Sequence, residues 1–220
     1  MTMITSSEIS VWDPVVRIGH WILVIGFAAA YFSGDDLLGV HVWAGYAVGV
    51  MVALRLVWGV VGSPHARFTD FVYRPAAAPR YLVALIRFRA PRYLGHSPAG
   101  GAMVVALLIA LAGTVGTGVA TYAVRDHGGP LAGILAGPGV IVSAPPGAHE
   151  QSAAEEHAAR RARPGHALKE VHEFFSTLTL WLVGFHLAGV ALASVVHREN
   201  LVRAIITGRK RPGARDAADD

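Results

Sequence analysis

An all-α integral membrane protein, a bundle of four spanning helices, is the fold class this sequence predicts, and three observations carry the expectation. Of its 220 residues 53% are hydrophobic and only 15% charged, where a soluble domain would carry about a quarter. The charges are clustered, which leaves four windows almost bare: residues 18–34, 37–66 (broken only by Arg55), 93–124 and 174–197. Each can cross a hydrocarbon core, which takes about 20 apolar residues with roughly 17 as the lower limit. Lys and Arg also gather in alternate connections, the bias that orients membrane proteins.

Taken in order, the chain reads as one domain over residues 11–211, with helices at about 15–34, 38–62, 99–124 and 170–197. Residues 1–14 form a polar entry, and "VWDP" turns the chain into the membrane. Arg17 snorkels, so the first helix extends back to Val15, and Trp12 and Trp21 mark its interfacial end. A cleaved leader fits poorly, because Asp13, Pro14 and Arg17 precede the apolar run and an acidic "GDD" follows it. The turn into the second helix has Asp35 and Asp36 and no base.

The second and third helices are joined by a loop with Arg67, Arg74, Arg80, Arg87, Arg89 and Arg92 against Asp70 alone. Within it "PRYLVALIRFRAPRY" suits either a short helix lying on the inner surface or an ordinary basic loop with some apolar contacts. Between the third and fourth helices, residues 125–168 are rich in Gly, Pro and Ala and hold His127, His149, His157 and His166. Their spacing matches no metal signature, and a mobile or partner-contacting loop is the expectation. After the fourth helix come Arg198, Arg203, Arg209, Lys210, Arg211 and Arg215, and residues 212–220 read as a disordered tail. Both termini and the middle loop are therefore expected in the cytoplasm and the long loop between helices three and four in the periplasm. Topology and the anionic inner leaflet account for the basic surplus, so no nucleic-acid partner is implied.

No cysteine is present. That excludes disulfides, cysteine-ligated iron–sulfur clusters and haem attached through C-x-x-C-H. A metal cofactor would need nitrogen or oxygen ligands.

Four histidines lie at membrane depth: His20, His41, His172 and His186. A lone one would most often be a hydrogen bond between helices, but ionisable groups in the bilayer mark function by default. The alternating helix directions place His20 and His186 toward the inner side, and His41 and His172 toward the outer side. His172 and His186 are fourteen residues apart, which falls about 40° short of four turns and spans roughly 21 Å of rise. One helix thus offers two imidazoles, on one face, at two heights. Six-coordinate haem takes two neutral imidazoles on opposite faces of a flat ring held between helices, so the pattern fits two b haems, on the pairs His20–His186 and His41–His172. Zinc would take a compact tetrahedral cluster, and a proton relay would add intramembrane carboxylates.

Haem propionates need cationic partners near the surface. Arg17, one turn before His20, and Arg55 suit the inner haem, although Arg17 serves equally as a snorkelling anchor. Gly45, Gly49, Gly113, Gly116 and Gly118 would let a porphyrin approach the backbone or simply let helices pack closely. His96, in "GHSPAGG", either caps the third helix or borders a quinone site, and His197 is expected at the interface.

The strings "VWDPVVRIGHW", "HVWAGY" followed by "RLVWG", "GHSPAGG", "KEVHE" and "HRENLVRAIITGRKR", in this order, resemble the bacterial cytochrome b561 family, which includes the cytochrome b subunits of nickel–iron hydrogenases and formate dehydrogenases. The resemblance implies a four-helix cytochrome with two b haems that exchanges electrons with quinone and a redox partner, and its ligand positions fall on His20, His41, His172 and His186. The Ala/Pro-rich outer loop departs from the pattern. The function expected is electron transfer across the bacterial inner membrane in a respiratory chain, as a carrier or as a subunit of a quinone-linked oxidoreductase. Expected partners are membrane lipid, the quinone pool, a periplasmic or membrane redox protein (a cytochrome c or a hydrogenase-like subunit) and a second copy of the chain. The alternatives are a structural membrane anchor of a hydrogenase-like complex, a histidine-based metal or proton transporter, and a free-standing quinone reductase fed by superoxide or a small donor.

Overall fold

The computed structural model describes residues 8–34, 36–135 and 164–211. His149, His157 and the tail after residue 211 lie outside them. In chain order the described elements are β1 (Ile9–Ser10), α1 (Pro14–Ser33), α2 (Leu38–Val61), α3 (Phe68–Phe71), α4 (Ala77–Ile86), α5 (Pro98–Arg125), α6 (Ala132–Leu135), α7 (Pro164–His197), α8 (Leu201–Thr207) and β2 (Arg209–Lys210). Four of them, α1, α2, α5 and α7, are long and apolar enough to cross a membrane, so the predicted all-α class with four spans stands.

The residues divide into two compact units. The first lies within Met1–Ile109 and Leu180–Asp220, the second within Ala110–Thr179. In the first unit α1 begins where Asp13 accepts a hydrogen bond from Val16 N at 2.9 Å, with Pro14 at the first helical position, where its missing N–H is no loss. It ends at Gly34, whose φ of +47° suits a residue without Cβ. The short connection returns the chain as α2 against α1. Lipid tails give helices no hydrophobic reason to associate, so close packing over small residues has to supply it. A Cβ at Gly19 would meet Met51 Cε at 2.7 Å, and one at Gly26 would meet Val48 Cγ2 at 2.9 Å.

The basic loop contains the ten-residue helix α4, which decides between the two readings of that stretch in favour of a helix. Tyr81 and Leu85 are buried on it while Leu82, Val83 and Ile86 are exposed. The Tyr81 hydroxyl and His197 Nε2 lie 3.1 Å apart. Arg92 donates to both carboxylate oxygens of Glu199, at 3.2 and 3.0 Å, and to the Arg211 carbonyl at 2.6 Å.

One feature was not expected. Ile9 and Ser10 pair antiparallel with Lys210 and Arg209. Val11 N and Trp12 N both donate to Gly208 O, at 2.8 and 3.1 Å. The turn that enables this is Gly208, left-handed at φ +79°, which closes α8. Two-residue strands carry no periodicity, so hydropathy cannot announce them.

In the second unit, α7 begins at Pro164, ahead of the expected residue 170. Its extra turns are polar, held by contacts at i,i+4: His166 Nδ1 lies 3.3 Å from Glu170 Oε1, and Lys169 pairs with Glu173 at 3.7 Å. Apolarity marks the membrane part of a helix and misses such extensions. The residue with the least exposure in this unit's α7 segment is Thr179, fully buried. Its hydroxyl donates to Phe175 O at 2.8 Å and lies 3.2 Å from Thr114 Oγ1.

Candidate functional site

Within the first unit, His20 of α1 and His186 of α7 face each other with ring centroids 6.4 Å apart and planes inclined by 56°. His20 also meets Trp21 edge-on at 5.7 Å. The position of His20 follows from the helix pairing, since its neighbour Gly19 is seated on Met51 of α2.

His41 sits near the start of α2, and its Nδ1 donates to the Ala30 carbonyl of α1 at 2.8 Å. In the second unit His172 does the same on α5: Nδ1 donates to Thr114 O at 2.9 Å, with Thr117 Oγ1 at 3.3 Å. Gly118 opens the space for this ring, since a Cβ there would stand 2.9 Å from His172 Cε1. A proton held on Nδ1 leaves the lone pair on Nε2, which is the tautomer of a metal-bound imidazole oriented by a carbonyl. Two imidazoles in different units share this device.

Arg55 lies near the end of α2 with 9% of its surface exposed. Its guanidinium stacks on Phe68 and Phe71, at 5.5 and 5.6 Å from the ring centres, and Nη1 is buried with no hydrogen-bond partner. Arg17, by contrast, donates through Nη2 to the carbonyl of Ile206, which fastens α8 to the start of α1. Gly113 is filled by Phe175 and Gly118 by His172, whereas Gly45 and Gly116 have nothing within 4 Å.

Three contributors, Asp13, Thr114 and Thr117, were not foreseen. Asp13, besides capping α1, accepts from Trp58 Nε1 at 3.0 Å and from the Ser63 hydroxyl. Burial would raise its pKa, but the hydrogen bonds from Ser63, Trp58 and the backbone of Val16 and Val15 outweigh it and hold the carboxylate below its ordinary value. Thr114 through its backbone carbonyl and Thr117 through its hydroxyl orient His172, and the Thr117 hydroxyl between Gly116 and Gly118 of an apolar helix was the available signal. His96 lies between Trp12 and Phe71, at 4.6 and 4.5 Å between centroids. Burial, then the charges of Arg55 and Lys210, push it down to about 3. Of the loop histidines, His166 pairs with Glu170, and among the described residues no cluster of three or more His, Asp or Glu could hold a metal ion.

Four membrane-length helices define a class, the integral membrane proteins, and this one carries imidazoles that meet ring to ring or are fixed by carbonyls. The family model for prokaryotic cytochrome b561 matches residues 11–208, and the chain belongs to that family. It is accordingly a multi-pass protein of the bacterial inner membrane that binds haem b and transfers electrons. No curated protein and no solved structure matches the chain.

Proposed function

We propose that this chain is a dihaem cytochrome b that carries electrons across the inner membrane between quinone and a redox partner of a respiratory chain. The observation that carries the reading is the His20–His186 pair. Two metal–nitrogen bonds of about 2 Å, added to the distance from each ring centre to its nitrogen, come close to the 6.4 Å between the centroids. One iron would fit between them. His41 and His172 are the remaining ligands in this reading, supported by their Nδ1 hydrogen bonds to Ala30 and Thr114.

When bound, haem supplies reversible one-electron exchange, and the protein tunes it by axial ligation, hydrogen bonding and burial. Arg55 suits an anionic side arm of the inner haem, because a buried guanidinium nitrogen without a partner is costly unless a charged acceptor meets it. Arg17 stands in reserve for the same role, with one nitrogen already engaged by Ile206 and Nε buried without a partner.

The orientation proposed puts both ends and the Arg-rich connection in the cytoplasm and the α5–α7 connection in the periplasm. The pairing of β1 with β2 supports a common side for the two ends, and the basic residues choose the side. Partners in this reading are the quinone pool and a periplasmic or membrane redox protein of the cytochrome c or hydrogenase-subunit kind, with a homodimer as the assembled form. A pyridine haemochrome assay on the purified chain tests the core of it. Two haem b per chain is the expected result, and a colourless preparation from cells supplied with iron and porphyrin precursor would overturn it.

A further inference from the structure

Two buried polar atoms in the first unit lack partners and share a neighbour. Arg55 Nη1 and His96 Nδ1 each have no hydrogen bond, and both side chains lie against the Phe71 ring, Arg55 at 5.6 Å and His96 at 4.5 Å. Phe71 itself is 1% exposed, and the His96 ring also meets Trp12 at 4.6 Å between centroids. The His96 ring is engaged by the backbone of His65. With Nδ1 unpartnered, the proton of the neutral ring sits on Nε2 and Nδ1 presents a lone pair. Arg55 offers only N–H donors. The two therefore ask for a group that accepts from one and donates to the other, and a carboxyl holding one proton has that pattern.

The position suits one carboxyl in particular. Arg55 lies one turn along α2 from Met51, whose thioether covers Gly19, the neighbour of His20. One turn of four residues is about 6 Å of rise. A carboxyl side arm of the haem assigned above to His20 and His186 is the ligand class at that reach.

We propose that His96 and Arg55 cradle a propionate of the inner haem, and that this propionate and His96 share one proton released when the haem is oxidised. The inference rests on the dihaem reading. In the step, one electron leaves the haem for the acceptor, a quinone or redox protein, and one proton leaves the propionate–imidazole pair for solvent. The charged and titratable groups acting on His96 are Arg55 of α2, Lys210 of β2 and His65 of the turn after α2, and the two cations favour its neutral form. A carboxylate placed beside it opposes them, so the pair binds a proton that His96 alone would not hold.

The test is a redox titration of the inner haem in the purified holoprotein, from pH 5.5 to 8.5, for wild type, His96→Gln and His96→Phe. Wild type is expected to lose potential as pH rises, approaching a tenfold change in the oxidation equilibrium per pH unit, ~59 mV for one electron. Both variants are expected to flatten that slope while keeping two haems, and His96→Gln carries the test should His96→Phe fail to fold. A flat wild-type profile, or an unchanged slope in His96→Gln, would overturn the proposal and leave the dihaem reading standing. A chain that binds no haem would sink the reading beneath it.

Discussion

The four membrane histidines are held in two ways. His41 and His172 each give Nδ1 to a backbone carbonyl, while His20 and His186 lie ring to ring, 6.4 Å between centroids. In the dihaem reading, replacing either member of the second pair should remove one haem and spare the other. His186→Ala and His20→Ala are each expected to halve the haem per chain in a haemochrome assay, and two full equivalents in either would reject the assignment. Asp13 makes a separate prediction. Losing a side-chain cap costs about 1 kcal/mol, and Asp13 also holds Trp58 and Ser63, so Asp13→Ala should lower the thermal midpoint of the detergent-solubilised protein. The sign with pH follows from its depressed pKa. Its ionic contribution is present above the unfolded value of about 3.9 and is lost as pH falls through the lower folded value. The midpoint difference between wild type and Asp13→Asn should stay level from pH 8 to 5 and shrink below pH 4.

Among the elements, the α5–α7 contact of the second unit depends on bare backbone. Gly118 admits the His172 ring and Gly113 the Phe175 ring. Gly118→Val should push His172 off Thr114 and, in the dihaem reading, deplete the haem proposed for His41 and His172 with the spectrum of the other unchanged; equal loss of both would mean that the whole fold had failed instead. What the sequence revealed divides along the same line. The spans and the fourteen-residue spacing on α7 were legible because hydropathy and helical period are local. The partners of His172, His96 and Asp13 were not. Trp58 and Ser63 stand 45 and 50 residues from the carboxylate they bind, and no local period encodes such a meeting. Arg55 falls between these cases: its isolation in an apolar window flagged it, but Phe68 and Phe71, the rings that cover it, lie in a loop that reads as merely basic.

At the scale of the whole molecule, the basic connections predict which segments face which compartment. Because the chain has no cysteine, single cysteines report this without interference. Ala132→Cys is expected to react with a membrane-impermeant thiol reagent in cells with a permeabilised outer membrane. Ala76→Cys should react only after the inner membrane is broken, and the reverse pattern would invert the topology.

The union of Ile9–Ser10 with Arg209–Lys210 also has a consequence for biogenesis. Residues ahead of α1 wait for ones made some two hundred codons later, so the start of α1 cannot be finished until α8 has been made. Until Gly208 emerges, the amides of Val11 and Trp12 lack the carbonyl that receives them. Closing this seam is a late act of assembly, and a nascent chain released before it would carry its helices without the latch that joins its two ends.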